Sequence, residues 1–588
     1  MKHRTEILLP ALLLLLAAGQ MPAQKTSKAH LTSLGSATLA GLAGTAGSDN
    51  GLEVQVTPAA DQQFSKQISG NISPARVPAA HVPRPAGNLV VPPDSNFLLG
   101  FAGINHRAQR LASAGNQFST EPPDQGLAVG GGYVLETVNS AVALYSATTG
   151  ALLAGPIGIN EFFGLPPAIL RPAPFVFGPD VTDPRVYYDS TTGRWFLTAG
   201  EIDRNSATGQ FASPGHSSVL IAVSTTSSPL FYNLFALDTT DDTGTPDHAG
   251  CPCLADQPLI GADANGFYVS TNEFPIFGPG FNGAQIYAMS KAALAAGVLP
   301  PSVVHFSGLP LAEGPAYSVQ PATVPPGGSF ATTNGGIEYF LSALDFTATL
   351  DNRIAVWALT NTSSLTSVTP SVVLSSLVIS SEVYGQPPDA QQQPGPTPLA
   401  DSLKEHLELL AANDDRMQQT VFAGGYLWSA LNSVVKTPNG PVRVGSAYFI
   451  VTPSVSAGGV LSATIANQGY VSVNQENLLF PSIGVNAAGK GVVTFTLVGP
   501  DSFPSIAYAP IDAVNGAGDV RLAAAGAGPD DGFSGYHAYG GARTGRWGDY
   551  TAAVADSSGD IWFAAEYIPG GPRTALANWG TFIGKAAP

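Results

Sequence analysis

Asp183-Pro184-Arg185-Val186-Tyr187-Tyr188-Asp189, a reversal closing at Gly193, and the return Arg194-Trp195-Phe196-Leu197 form the stretch on which the fold turns. Aromatic and branched residues crowd both arms, as pleated strands prefer. Asp189 with Gly193 supplies the chemistry of a tight turn. The stretch reads as a hairpin with an acidic, proline-marked entry, and the same spelling recurs. Pro122-Pro123-Asp124-Gln125-Gly126-Leu127 turns at Gly130 to Gly132 into Tyr133-Val134-Leu135, and Asp256-Gln257-Pro258-Leu259 runs through Gly266 to Phe267-Tyr268-Val269. Gln320-Pro321-Ala322 stands upstream of Gly335-Gly336 and Tyr339-Phe340-Leu341, and Asp414-Asp415-Arg416 leads through Gly424-Gly425 to Tyr426-Leu427-Trp428. Phe480-Pro481-Ser482 continues past Gly489 to Val492-Val493, and Trp547-Gly548-Asp549-Tyr550 past Gly559 to Ile561-Trp562-Phe563. Asp263, Asn486 and Asp556 precede their glycines where an Asx side chain caps a turn and Gly accepts positive φ. Several hairpins carry a further apolar strand, such as residues 219–223 and 354–359.

The period is about 71 residues, longer than the roughly 40–50 of a compact four-stranded blade, so loops or extra strands fill each unit. A hairpin unit that cannot bury both faces must stack on its neighbours, and radial closure removes free sheet edges. The sequence therefore predicts an all-β chain, a seven-bladed β-propeller over residues 90–588. Two packed sandwich domains are the alternative, but they do not require one glycine-punctuated hairpin seven times. The last unit shows three strands, whereas residues 96–101 form an apolar strand without a partner ahead of the first. Pairing it into the last unit would close the ring. Residues 399–412 are the helical exception: Leu403, Leu407 and Leu410 recur at helical spacing, with Asp401 as N-cap.

Working outward, Lys2-His3-Arg4 followed by the apolar residues 7–18 and Ala17-Ala18-Gly19 has the layout of a secretory signal peptide, assigned to residues 1–24. The apolar run is shorter than a membrane span and contains Pro10. Residues 25–89 are rich in Ala, Gly, Ser, Thr and Pro and are expected to be a flexible spacer, with a short N-terminal strand packed on the main domain as the alternative. Of 588 residues, 44% are hydrophobic and only 11% charged, with a net charge of −17, which supports a large core and disfavours a polyanionic partner such as nucleic acid. A secreted, periplasmic or cell-surface monomer without a membrane span is expected.

The pieces Asp183 to Asp189 with Gly193-Arg194-Trp195-Phe196, Ile221-Ala222-Val223-Ser224-Thr225-Thr226, Gly261-Ala262-Asp263 with Thr271-Asn272, and Arg546-Trp547-Gly548-Asp549-Tyr550 resemble exported bacterial β-propeller proteins related to the sialidase-like superfamily. That group is mostly without assigned activity, so the resemblance implies a fold more than a chemistry.

Propellers place ligands at one mouth of the axial channel, where the strand entries converge. Asp183, Arg185, Tyr187, Asp256, Arg546 and Asp549 are the candidates for catalysis there, and Asp124, Asp415, Arg416, Trp547 and Tyr550 for ligand binding. Carboxylates, guanidinium forks and aromatic faces are what sugar and carboxylate recognition uses. The competing structural reading has each Asp accepting backbone N–H groups at an entry turn and each Arg bridging neighbouring units. Asp238, Asp241, Asp242 and Asp247 cluster oxygens suited to calcium, the one cofactor considered, against a solvated acidic loop. Cys251 and Cys253 are the only cysteines and leave three readings: a local disulfide, free thiols, or a metal site with His248. Gly-x-Ser-x-Gly and His-Glu-x-x-His are absent from the sequence. Two functions follow: an extracellular binding module for glycans or proteins, or a sialidase-like glycoside hydrolase or lyase acting at the channel mouth.

Overall fold

The computed structural model describes residues 24–39 and 81–588, apart from 172, 242–247, 249, 312–313, 345–349, 407 and 439. Asp180–Asp189 pairs antiparallel with Arg194–Ile202, Tyr187 facing Phe196 and Asp189 facing Arg194, so the hairpin turns at Gly193. Alternation along the second strand sends Trp195 and Leu197 to one side and Phe196 to the other. Both sides are covered. Trp195 and Leu197 pack with Leu135 and Leu144 of the preceding hairpin, and Phe196 packs with Phe267 and Val269 of the following one.

Among the described residues the larger sheets hold four to eight strands, mostly antiparallel, and with the eight-stranded one divided at its parallel pair they are numbered as units 1–7 in chain order. Their first strands are Gly126–Gly130, Asp180–Asp189, Cys253–Ala262, Gln320–Thr323, Thr420–Ala423, Asn477–Val485 and Ala552–Ala555. Each packs on the next in order, and the seventh packs on the first. Apolar clusters fill every junction, for example Tyr268 with Phe340 and Trp357 between units 3 and 4, and Trp562 and Ile583 with Leu127 and Val134 between units 7 and 1. Burial between stacked sheets therefore supplies the interior.

The strand Phe97–Asn105 pairs with Gly580–Ala586, Phe101 opposite Ile583, and completes the seventh unit, as expected for residues 96–101. Units 4 and 5 merge into one eight-stranded sheet through parallel pairing of Ala322 with Thr420 and Thr323 with Val421. The turn spelling works as expected at Asn486, whose Oδ1 accepts the Ala488 N–H at 3.0 Å ahead of Gly489 at φ +74°. Gly266 differs. It has no positive φ, and glycine is needed there because a Cβ would lie 2.1 Å from the Tyr268 hydroxyl.

The spacer expectation needs correcting at both ends. Lys25–Ala29 pairs antiparallel with Val303–Ser307, and Leu31–Thr38 with Phe231–Asp238, adding fifth strands to units 3 and 2. Val90–Val91 pairs in parallel with Val520–Ala524 of unit 6, and the Pro83 carbonyl accepts the Lys436 N–H at 2.9 Å. Most side chains of the two N-terminal strands stay exposed, so the attachment is a backbone ladder on a free edge, which composition does not announce. The signal-peptide segment up to residue 23, and residues 40–80 of the spacer, lie outside the described residues.

The helix also differs from expectation. Only Pro398–Leu403 is helical, ending at Lys404 with φ +60°. Asp401 lies inside its first turn, while the Asp531 carboxylate caps the helix, accepting the N–H groups of Leu399 and Ala400 at 2.7 and 3.0 Å. Leu409–Leu410 instead pairs in parallel with Thr544–Gly545, so the leucine spacing serves two elements. No helix among the described residues is long and apolar enough to cross a membrane.

Candidate functional site

Six of the seven first strands have an entry residue in the left-handed region, at a bulge inside the strand or within four positions ahead of it: Asp124 (φ +48°), Asp183 (+54°), Gln257 (+50°), Ser318 (+42°), Phe480 (+54°) and Gly548 (+42°). For a non-glycine residue that conformation costs about 1–2 kcal/mol. Hydrogen bonds from the preceding unit offset it. Asn139, Asn272 and Asn432 each accept through Oδ1 the N–H of the next unit's entry residue, Asp183, Ser318 and Phe480, at 2.8 Å. Pro184, Pro258 and Pro481 follow entry residues and bring no N–H to satisfy. These three asparagines were missed as functional positions. Their signal is recurrence six positions after the first residue of the second strand, in Val138-Asn139-Ser140, Thr271-Asn272-Glu273 and Leu431-Asn432-Ser433.

The entries bring three carboxylates together. Oxygens of Asp124, Asp183 and Asp549, from units 1, 2 and 7, lie within 4.8 Å of one another. The three residues are only 1%, 6% and 6% exposed. Burial first, then the neighbouring Asp549 and Asp183, pushes the Asp124 carboxyl up to about 8, so it carries a proton at neutral pH. Its oxygens accept from the Asp549 N–H and, at 2.7 Å, from Asn139 Nδ2. Asp183 Oδ2 accepts the Gln257 N–H at 3.2 Å, and Asp549 accepts from Asn413 Nδ2 at 2.7 Å and Arg546 Nη2 at 3.2 Å.

Arg185 stands beside this trio with its guanidinium 3.3 Å above the centre of the Tyr550 ring. The Tyr550 hydroxyl donates to the Pro184 carbonyl at 3.0 Å, locking the ring in place. Arg416 grips Asp414 through Nε at 2.7 Å and Nη2 at 2.6 Å, and its Nη1 reaches Gln257 of unit 3 at 2.7 Å. Asp256 and Asp549 add to the negative field on Arg416. Asp415 accepts from the Tyr317 hydroxyl at 3.1 Å.

A chamber of about 50 Å³ lies among the first strands, with Arg185, Tyr187, Gln320, Thr323, Gln419 and Thr420 on its wall. A second, of about 30 Å³, shares Tyr187, Thr323 and Gln419 with it. Gln419 of unit 5 reaches unit 7, accepting the Ala553 N–H at 3.2 Å and donating to the Ala553 carbonyl. The linkers entering units 1, 5 and 7 pack on one another: Glu121 accepts the Ser534 N–H at 2.9 Å, and Leu399, Phe533, Tyr536 and Leu576 form a common apolar cluster.

The structure thus gathers Asp124, Asp183, Arg185, Arg546, Asp549 and Tyr550, with Arg416 and Asp256 alongside. Tyr187 stands apart on the chamber wall, its hydroxyl 3.5 Å from Asp189 Oδ1 and from the Val324 carbonyl. Two aromatic expectations are corrected. Trp547 is 1% exposed, packs with Leu410, Ala412 and Phe480 and donates to Thr496 Oγ1, so its ring belongs to the core. Tyr550 is fully buried with Arg185 on one face, so neither ring presents a free face to a sugar. In the acidic loop, Asp241 meets His248 and Glu273 while Asp238 caps its own turn at the Thr240 N–H. Asp242 and Asp247 lie outside the described residues. His248 Nδ1 sits 2.6 Å from Glu273, whose carboxylate raises the imidazole pKa. Cys251 and Cys253 are joined in a disulfide.

No family model and no curated protein sequence matches the chain. Among solved structures it is similar to a protein of unknown function from Dyadobacter fermentans, at 10% identity and a TM-score of 0.31, over 69% of this chain and 95% of that one. It is also similar to an exo-β-1,3-galactanase from Clostridium thermocellum, at 11% identity and 0.26, over 79% and 92%. A Trypanosoma rangeli sialidase aligns at 8% identity and 0.28, over 69% and 54%.

Proposed function

We propose that the chain is a seven-bladed β-propeller, exported from the cell, that serves as a binding module for glycans or proteins outside it. Seven units whose first strands pack in a closed order support the blade count. The basic and apolar residues at the N-terminus support export, and the Cys251–Cys253 disulfide is compatible with an oxidising compartment.

The observation that carries binding over catalysis is the state of the entry carboxylates. A glycosidase needs two carboxyl groups flanking a scissile bond, with room for a sugar between them. Here Asp124, Asp183 and Asp549 are buried and engaged by backbone N–H groups, two asparagines and an arginine, in the manner of a structural junction. Arg546, its side chain 44% exposed, offers a charged group to a partner on this side.

One observation favours the hydrolase reading: Asp124 keeps a proton up to about pH 8 beside two further carboxylates, as a general acid would. A panel of fluorogenic glycosides, read together with native electrophoresis through neutral and acidic polysaccharides, separates the two. Retardation by a polysaccharide without turnover is the expected result. Turnover that Asp183→Ala abolishes at an unchanged melting temperature would overturn the binding reading in favour of the enzyme.

A further inference from the structure

We propose that the axial chamber is a binding site for a small organic carboxylate, held side-on by the Nε–H and Nη2–H groups of Arg185. The residue is 8% exposed, and both nitrogens are buried without a hydrogen-bond partner among the described residues. Stacking on Tyr550 occupies a face of the guanidinium and leaves its edge for an in-plane acceptor. Nε and Nη2 present the two parallel donors that match the two oxygens of one carboxylate. Burial lowers the Arg185 pKa and Tyr550, Asp124, Asp183 and Asp549 oppose that shift, yet none of the three carboxylates accepts from these two nitrogens.

The chamber carries a second unpaired polar atom. Thr420 Oγ1 lines it and is buried without a partner, whereas the Gln320 and Gln419 amides are engaged by the Met417 carbonyl and the Ala553 backbone. The rest of the wall is largely apolar, including Leu127, Val186, Leu259, Ile260 and Val554. A cation fork and one hydroxyl within an apolar wall suit a carboxylate on a hydrophobic body better than a strongly hydrated inorganic anion. The inference depends neither on export nor on a glycan, so it stands or falls apart from the preceding reading.

The test titrates the full chain with sodium benzoate, sodium propionate, benzyl alcohol and sodium sulfate, by calorimetry and by thermal shift. Saturable benzoate binding is expected, with benzyl alcohol and Arg185→Lys each weakening it about tenfold through loss of the charged fork. Thr420→Val leaves the guanidinium in place and reads the site even if the lysine variant fails to fold. It should weaken benzoate about threefold. The proposal is overturned if neither carboxylate binds saturably, if Arg185→Lys keeps parental affinity, if Thr420→Val leaves benzoate affinity unchanged, or if sulfate binds more tightly than both carboxylates.

Discussion

The junction between units 4 and 5 and the junction between units 7 and 1 solve one packing problem by different means. Units 4 and 5 share a continuous sheet, with Ala322 paired to Thr420 and amide contacts alongside, among them Gln320 to the Met417 carbonyl at 2.9 Å and Asn334 to the Ser456 carbonyl at 3.1 Å. At the closure, strands from opposite ends of the chain meet, and a buried carboxylate fastens them. Glu136 of unit 1 accepts the Ile104 N–H and the Tyr145 hydroxyl, each at 2.9 Å, and the Thr581 hydroxyl. Gly103 leaves room for it, since a Cβ there would lie 2.5 Å from Glu136 Oε1. Burial raises the Glu136 pKa, and it likewise raises that of Asp124 in unit 1, which accepts the Asp549 N–H ahead of unit 7. Where backbone pairing runs from unit to unit, the side-chain bonds added to it are mostly neutral, with Asp415 on the Tyr317 hydroxyl the charged one among those named. Where the ends must find each other, desolvated acids supply the specificity and make the junction sensitive to pH.

The harshest break is deletion of residues 90–105, which removes the strand that completes unit 7. Loss of the cooperative thermal transition is expected by calorimetry, and a truncated chain melting as sharply as its parent would erase the distinction between the two junctions. Next in size, Glu136→Ala leaves three donors without their acceptor and should cost about 3 kcal/mol, against about 1 kcal/mol for Gln320→Ala, both read by urea unfolding. Equal losses would show that closure is no special case.

The pH response sharpens the comparison further. The Asp124 carboxyl is pushed up to about 8, and burial lifts Glu201 and Asp530 to about 7. A folded state with raised carboxyl pKa values holds protons that the unfolded chain has released. Its stability is full below the unfolded values and is lost as pH rises through the folded ones. His106, lowered to about 3 by burial, is neutral in both states above its ordinary 6.5 and drops out. The melting temperature should therefore fall between about pH 6.5 and pH 9, and Asp124→Asn should flatten that slope. A slope identical in the variant would remove Asp124 from the account. The smallest effect is expected from deleting residues 24–39: a melting shift of a few degrees at most, with faster amide exchange in Phe231–Asp238 and Val303–Ser307, whose edges the arm covers.

Much of the ring was legible because its signals are local. The Asp189–Gly193 reversal, the Asn486 turn and the alternation around Trp195 and Phe196 each involve residues a few positions apart, and the orphan strand at residues 96–101 was visible against the three strands of the last unit. The N-terminal arm escaped because a ladder on an open edge uses backbone groups that every residue carries. Trp547 and Tyr550 misled because an aromatic beside an acidic entry looks alike whether it faces a ligand or a core. Asn139, Asn272 and Asn432 repeat in register but gain meaning only once each is seen holding the next unit's entry.

The amino-acid order by itself determined the hairpins, their recurrence and the acidic entries, since strand alternation and turn chemistry act over short distances along the chain. Which entries share one space was decided by tertiary structure alone. Asp124 reaches the Asp549 N–H across 425 residues, and Arg185 stacks on Tyr550 across the closure, because ring packing joins segments whose separation carries no sequence signal. That same packing excludes water from the trio, so that Asp124 holds a proton, and it places Arg185 on the wall of a chamber.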